Sequence, residues 1–216
     1  GKKLLFLSLC MLDGLLPLYL YSQVEKMPVD ELKQISGRFP SVASAVAGSK
    51  MKSYADILSK KKFKSDAEKS VAFANAVRVT EDMKKAGLDG NAEFVHYAVR
   101  AMSDLQRLPY IYPVDGRIGG EVRTVAARDE YEASSFVLFP FEDMTVGFDV
   151  PDLKSEDGTV LPKDKIDLKV VKVWLQNGNA WYSYFADTDL VPVPELLLKD
   201  ENLIRSDFDT KANYAR

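Results

Sequence analysis

Paired acidic side chains are the residues of this sequence whose spacing suggests hydrolytic chemistry. Glu130 and Glu132 are two positions apart, and two residues of a β-strand advance about 6.5 Å, within the roughly 6.5–9.5 Å that separates the carboxyl groups of an inverting glycosidase. Glu195 is a third carboxylate that a hydrolase could use. Residues two apart share a face on every β-strand, so such pairs are common. We therefore interpret Glu130 and Glu132 as solvated residues at a strand edge or turn beside Asp129. The sequence predicts no catalytic residue, and a small carboxylate-dependent glycoside hydrolase is the alternative function.

Aromatic and amide side chains around one turn have the chemistry of a carbohydrate site. Sugar rings stack on exposed aromatic faces, while amide groups bond to their hydroxyls. Strand alternation would place Tyr182 and Tyr184 on one face and Trp181 on the other, so one set should be exposed. We expect Trp174, which precedes the turn, to lie in the core. The predicted carbohydrate-binding residues are Trp181, Tyr182, Tyr184, Asn177 and Asn179.

Metal and cofactor chemistry has little support in the sequence. One cysteine, Cys10, and one histidine, His96, exclude cysteine-based zinc sites and histidine clusters. We interpret His96 as a solvated or rim side chain and not as a functional one. The acidic runs 187–189 and 207–209 place aspartates at alternate positions but do not continue into an EF-hand loop, so we interpret both as acidic loops, with calcium as the alternative. No phosphate-binding glycine loop is present, and we expect neither a metal nor a cofactor.

The charge balance limits the class of partner. The chain has 29 Lys+Arg and 32 Asp+Glu, a net charge of −3, and therefore no overall field that attracts nucleic acid. Residues 23–108 carry 15 basic and 11 acidic side chains, whereas residues 109–216 carry 12 and 20. The basic run 60–64 contains a single aromatic residue and is typical of a solvated loop. We predict no nucleic-acid partner.

The first 22 residues have the order of a secretory signal. Lys2 and Lys3 precede a leucine-rich run over residues 4–21, and the small residue Ser22 follows it. Asp13 interrupts the run, which disfavours a retained membrane span. We predict a signal peptide over residues 1–22 and a secreted or periplasmic protein of the cell envelope, with membrane contact only through an uncleaved signal.

Residues 23–108 are expected to form a helical region. Ser65 and Glu68 have the spacing of a capping box, and Gly87 suits the position after the last helical turn. A second apolar stripe over residues 94–108 predicts another long helix, which would pack on the first as an antiparallel helical hairpin. Shorter helices are expected over residues 28–36 and 54–61.

Residues 109–216 have the alternation and turn residues of β-structure. A phase slip at Val170-Val171 predicts a β-bulge. Short strands with no helix between them predict an antiparallel β-sandwich, so the fold class is α+β, a helical hairpin followed by that sandwich. The expected strands are 121–127, 131–139, 144–150, 166–174, 181–185 and 190–198.

Several segments in order resemble a known family. They are AMSDLQRLP (101–109), VDG (114–116), RDEYEASSFVL (128–138), VVKVWLQ (170–176), AWYSYF (180–185) and VPELLL (193–198). Together they resemble the amino-terminal region of large secreted bacterial glycoside-hydrolase-like proteins, over residues 66–216. The resemblance implies a β-sandwich ahead of a larger domain that acts on polysaccharide.

This resemblance leads to the expected function. The chain would be a fragment, its β-sandwich incomplete at the carboxyl end, and its partners would be polysaccharide and a missing carboxyl-terminal domain of the same protein. We interpret it as a non-catalytic module, structural or carbohydrate-contacting, whose full-length parent is the glycoside hydrolase. An envelope protein-interaction module is a further alternative.

Overall fold

A computed structural model describes residues 3–9, 29–46, 48–101, 105, 107–108, 111–127, 129–177 and 190–216. These residues form a mixed α+β structure of four α-helices, a six-stranded sheet and two small two-stranded sheets. The α+β class predicted from the sequence is therefore correct. Within these ranges no helix combines the length and the apolar character that a membrane crossing needs.

The four helices precede most of the sheet in the chain. They are α1 (Val29–Gly37), α2 (Phe39–Ala45), α3 (Ser49–Lys60) and α4 (Asp66–Ala86). Helix α4 begins as predicted, because the Glu68 backbone N–H donates to Ser65 Oγ at 3.1 Å and the Lys64 N–H donates to Glu68 Oε2 at 2.7 Å. It ends at Gly87, whose φ of 66° lies in the left-handed region that glycine adopts most easily.

The strands vary in length from two to twelve residues. In chain order they are β1 (Lys3–Leu9), β2 (Phe94–Val99), β3 (Arg117–Ile118), β4 (Ala133–Pro140), β5 (Leu153–Lys154), β6 (Val160–Leu161), β7 (Ile166–Asn177), β8 (Leu190–Leu198), β9 (Ile204–Asp207) and β10 (Ala212–Ala215). Single 3₁₀ turns precede β7 and β9, at Lys163–Lys165 and Glu201–Leu203.

The large sheet has the order β3-β2-β4-β1-β7-β8. Strand β1 is parallel to both of its neighbours, β4 and β7, and the remaining pairs are antiparallel. Strand β8 lies at one edge, where Pro192 and Pro194 are tolerated because an edge strand leaves one row of backbone groups unpaired. The small sheets are the hairpins β5-β6 and β9-β10.

The predicted second helix of the hairpin is wrong, because Phe94–Val99 is strand β2. Six residues of β2 pair with β4, and Tyr97 becomes fully buried. Burial of one large apolar side chain is worth about 1.5–3 kcal/mol, which outweighs a modest helix preference. A spacing of four, as between Phe94 and Ala98, fits one face of a helix and one face of a strand equally well.

The predicted strands of the second half agree with the structure at β4, β7 and β8, but not elsewhere. Residues 121–127 and 144–150 lie outside the ladders, and Val125 is 90% exposed, so its segment does not bury an apolar face. The bulge lies between Lys172 and Val173, two residues after the predicted position.

The strand expected over 181–185 lies outside the described residues. A second large sheet facing the first is not found among the described strands.

One core joins the helices to the sheet. Val95, Tyr97, Val137 and Phe139 share one face of β2 and β4 and belong to the same buried cluster as residues of α2, α3 and α4. The Tyr54 ring on α3 meets the Phe139 ring edge-on at 6.2 Å between centroids. The core therefore includes residues on both sides of the boundary expected between residues 108 and 109.

The opposite face of β2 and β4 carries His96 and Leu138, which are paired in register. On this face the Phe136 ring contacts the Phe148 ring at a centroid distance of 6.1 Å. The helices and the irregular segment around Phe148 thus lie on different sides of the sheet.

Strand β1 lies within the segment predicted as a signal peptide. Its residues pair with β4 from Leu4 to Leu9 and with β7 from Lys3 to Leu7. Removal of residues 1–22 would take this strand from between β4 and β7. Signal cleavage stays a prediction, and it now has a structural consequence that can be measured.

Candidate functional site

The predicted carbohydrate residues belong to the connection between β7 and β8. Asn177 is the last residue of β7 and is the register partner of Leu190, the first residue of β8. The other four, Asn179, Trp181, Tyr182 and Tyr184, lie outside the described residues. The two residues that flank the segment 178–189 are therefore neighbours across the β7-β8 pair.

Two of the acidic residues considered for hydrolysis, Glu130 and Glu195, accept hydrogen bonds from neighbouring groups. Glu130 is exposed, and its Oε2 accepts from the Ala127 backbone N–H at 2.6 Å. Strand β4 begins only at Ala133, so the strand spacing assumed for Glu130 and Glu132 does not apply. Glu195 is exposed on β8 and accepts from Gln176 Nε2 at 3.0 Å. These contacts stabilise a turn and a hairpin.

The acidic run 207–209 closes the β9-β10 hairpin. Asp207 Oδ1 accepts from the Thr210 N–H at 3.0 Å and from the Asp209 N–H at 3.1 Å. The hydrogen bond from the Thr210 N–H holds the pKa of Asp207 below its ordinary value, and the bond from the Asp209 N–H lowers that pKa by a smaller amount. The described residues contain no group of three or more His, Cys, Asp or Glu arranged to hold a metal ion. The run 187–189 lies outside them.

Trp174 is only half-buried, although the sequence predicted that it lies in the core. Its neighbour Leu175 is 4% exposed and occupies the buried position on β7 instead. The Trp174 indole Nε1 is buried and has no hydrogen-bond partner among the described residues.

A pocket of about 410 Å³ lies where the turn after α4 meets strand β2. Its volume falls within the roughly 300–1,000 Å³ of typical ligand sites. We call it the His96 pocket and define it by Leu88, Asp89, Asn91, Phe94, His96 and Gly119.

The elements around the His96 pocket fix its shape. Phe94 and His96 are two positions apart on β2 and share one strand face. Gly119 has a φ of 62°, and its N–H donates to the His96 carbonyl at 2.9 Å. Asp89 Oδ1 accepts from the Asn91 N–H at 3.1 Å and from Asn91 Nδ2 at 3.0 Å. These hydrogen bonds orient the polar side chains of the turn.

The contact of His96 determines its tautomer. Its Nε2 lies 3.2 Å from the Gly120 carbonyl oxygen. A carbonyl only accepts, so Nε2 carries the hydrogen, and in the neutral ring Nδ1 is then the acceptor. His96 is half-buried, which agrees with the rim position, one of the two predicted from the sequence.

The His96 pocket combines apolar and polar groups in a way that suits a hydroxylated ring. The Phe94 ring is 37% exposed and Leu88 is 39% exposed. Beside them are a carboxylate, a carboxamide and an imidazole. The pocket holds one carboxylate, that of Asp89, so it lacks the second carboxyl group that glycoside hydrolysis requires.

Sequence reasoning missed this pocket because it assigned Phe94 to a helix. The signal available was the turn Leu88-Asp89-Gly90-Asn91 directly before the alternating run at 94–99. Reading that run as a strand would have placed Phe94 and His96 on one face beside the turn. No family model matches the chain, and no curated protein or solved structure matches it either.

Proposed function

We propose that this chain is a non-catalytic, carbohydrate-contacting module of an exported polysaccharide-processing protein. The observation that carries the proposal is the His96 pocket, in which the exposed Phe94 ring stands beside Asp89, Asn91 and His96. Aromatic stacking with a few oriented hydrogen-bonding groups is sufficient to bind a sugar ring in a shallow site.

Binding fits this pocket better than hydrolysis does. Acid/base cleavage of a glycosidic bond needs two carboxyl groups on opposite sides of that bond, one of them with a raised pKa. The Asp89 carboxylate is alone in the pocket and already accepts from Asn91. Glu130 and Glu195 are exposed and are bonded to neighbouring chain segments.

The connection 178–189 is the second contact region of the proposal. Its ends are held by the register pair Asn177 and Leu190 on strands of the large sheet. Trp181, Tyr182 and Tyr184 fall in the sequence between these two strands, and binding residues often lie in connections between strands.

The complete module, in this proposal, has the β-sandwich that the family resemblance implies. The large sheet would be one of its layers, and the partner would be a carboxyl-terminal domain of the same protein. Export through residues 1–22 belongs to the same proposal.

Affinity electrophoresis of the full chain on plant and algal polysaccharides tests the proposed function. We expect at least one polysaccharide to retard the chain, Phe94→Ala to weaken the retardation, and Tyr182→Ala to weaken it further. Tyr131→Ala is the matched control, because Tyr131 is an aromatic residue that is 62% exposed and lies outside the pocket.

Thermal melts show whether a variant has lost its fold rather than its binding surface. Absence of retardation on every polysaccharide would contradict carbohydrate contact. Release of new reducing ends by the full chain would contradict the non-catalytic role and favour the small hydrolase.

A further inference from the structure

A second pocket, of about 490 Å³, lies between the end of α3 and the start of α4. Three of its lining residues are lysines, although the whole chain carries a net charge of −3. We call it the lysine pocket and define it by Lys61, Phe63, Lys64, Ser65, Asp66 and Lys69. Part of the basic run 60–64 therefore lines a pocket, whereas the sequence predicted that the run is a solvated loop.

Two of the three ammonium groups are available to a ligand. Lys61 and Lys69 form no ion pair with any described residue, and Lys64 Nζ lies 3.7 Å from Asp209 Oδ1 in an exposed pair. Exposed pairs of this kind are weak, on the order of 0–1 kcal/mol, so a ligand anion can compete for Lys64. Asp66 is the one carboxylate that lines the pocket.

Aromatic rings position the free ammonium groups. Lys61 Nζ is 5.6 Å from the centroid of the Phe63 ring, and Lys69 Nζ is 5.4 Å from that of the Phe73 ring. The two rings meet edge-on at 5.9 Å, and Phe73 also stacks on the buried Phe39 at 4.0 Å. The ammonium groups of Lys61 and Lys69 thus lie against aromatic rings that are themselves packed against the core.

Hydrogen bonds fix the backbone between α3 and α4. The Lys61 N–H donates to the Ile57 carbonyl at 3.0 Å, which closes α3. Glu68, only 3% exposed, accepts from the Lys64 N–H, and Ser65 Oγ accepts from the Glu68 N–H. A site that is already ordered avoids part of the entropy cost of binding.

The groups in the lysine pocket indicate the ligand class. Three ammonium groups favour an oxyanion, and the positive end of α4 adds to this preference. Ser65 Oγ already accepts from a backbone amide, so its own hydrogen is available to donate. The Asp66 carboxylate opposes a purely anionic ligand but can accept from hydroxyl groups.

We propose that the lysine pocket binds an acidic sugar, a hydroxylated ring that carries a carboxylate or a sulfate. The anionic group lies among Lys61, Lys64 and Lys69, and the ring hydroxyls bond to Ser65 and Asp66. Nucleic acid fits less well, because Asp66 and Asp209 interrupt the basic surface beside a pocket too small for a strand of several nucleotides. This site is separate from the His96 pocket and does not rest on the proposed function.

Isothermal titration calorimetry on the full chain at low salt tests the proposal. The ligands are digalacturonate, a monosulfated galactose, neutral lactose, inorganic phosphate and a short single-stranded oligonucleotide. We expect one of the two acidic sugars to bind, and the double variant Lys61→Gln/Lys69→Gln to weaken that binding about tenfold, roughly the effect of losing two exposed charge contacts.

The matched control is Lys60→Gln/Lys62→Gln, which removes the same charge from the same run at positions that do not line the pocket. It should change the affinity less than twofold. Equal losses in the two double variants would overturn the proposal, because they would show attraction to net charge alone. Tighter binding of phosphate or of the oligonucleotide than of either acidic sugar would overturn it as well, as would no binding of either sugar.

Discussion

Asp115 and Arg107 form a bidentate ion pair within the segment that connects β2 to β3. Arg107 Nη1 donates to Asp115 Oδ1 at 2.6 Å, and Nη2 donates to Oδ2. The Arg107 side chain is 13% exposed and that of Asp115 is 22% exposed, so solvent screens the pair only partly. Burial by itself would raise the pKa of Asp115, but the hydrogen bonds and charge of Arg107 outweigh it and lower that pKa below its ordinary value of 3.8.

The direction of this shift sets the pH dependence of the contribution that Asp115 makes to stability. A carboxyl group whose pKa is lower in the folded state stabilises the fold fully above its unfolded pKa, and the stabilisation is lost as the pH falls through the folded value. We expect Asp115→Asn to reduce the free energy of unfolding by about 1.5–3 kcal/mol at pH 7 and by less at pH 3.

Urea unfolding of the wild type and the variant at the two pH values measures this difference. Asp143→Asn, at an exposed carboxylate, is the control and should change stability little at either pH. An equal loss at pH 7 and pH 3 in Asp115→Asn would show that the ionised pair contributes nothing.

At the scale of elements, the start of α3 touches the turn that follows α4. A Cβ added at Gly48 would lie 2.4 Å from the Gly90 Cα and carbonyl carbon, closer than side-chain carbons approach backbone. The Met51 N–H donates to the Gly90 carbonyl at 3.1 Å across the same contact. If the backbone at Gly48 and the backbone at Gly90 moved apart, the hydrogen bond from Met51 to Gly90 would break.

We therefore expect Gly48→Ala to destabilise the protein by about 1–3 kcal/mol, the usual cost of overpacking. Gly37→Ala is the matched control, since a Cβ there meets nothing within 4 Å and alanine favours the helix. Chemical denaturation of both variants provides the measurement. A Gly48→Ala variant as stable as wild type would mean that the two segments do not approach this closely in solution.

The same contact lies beside the His96 pocket, because Asp89 and Asn91 flank Gly90 in the turn. Gly48→Ala should consequently weaken the proposed carbohydrate contact at Phe94 as well as lower stability, whereas Gly37→Ala should do neither. Helix α3 thus positions a turn of the His96 pocket that is distant from it in the sequence.

At the scale of the whole molecule, β1 joins two parts of the sheet. Among the described strands, β1 is the one neighbour that β4 and β7 share, and both lose it when β1 is removed. The hydrogen-bonding edges of both strands would then be open, and unpaired edges promote aggregation. Signal cleavage would remove β1, whereas the six-stranded sheet includes it.

We expect a chain that begins at Gln23 to melt at a lower temperature than one that begins at Gly1, and to aggregate more readily. Differential scanning calorimetry and light scattering on the two chains test this expectation. A chain from Gln23 with unchanged melting would show that β1 is dispensable and would agree with export and cleavage. Amino-terminal sequencing of secreted material then shows which form the cell produces.

Local signals in the sequence determined several elements correctly. The capping box at Ser65 and Glu68 and the glycine at position 87 define α4 because each acts within one helical turn of its neighbours. The apolar run at 190–198 forms β8 with the predicted limits, since its composition suits a strand and not a helix. The α+β class followed from the change in periodicity along the chain.

Tertiary contacts decided the rest. Residues 94–99 could follow either periodicity, and the partner strand β4 made them a strand because pairing buries Tyr97. Nothing near residue 4 in the sequence indicates pairing with β4 and β7, which are more than a hundred residues away. Both pockets depend on folding as well, since Gly119 lines a pocket with Phe94, and Lys69 lines one with Lys61, only after the chain has folded. Sequence patterns report interactions between near neighbours, whereas sites depend on contacts that folding brings together.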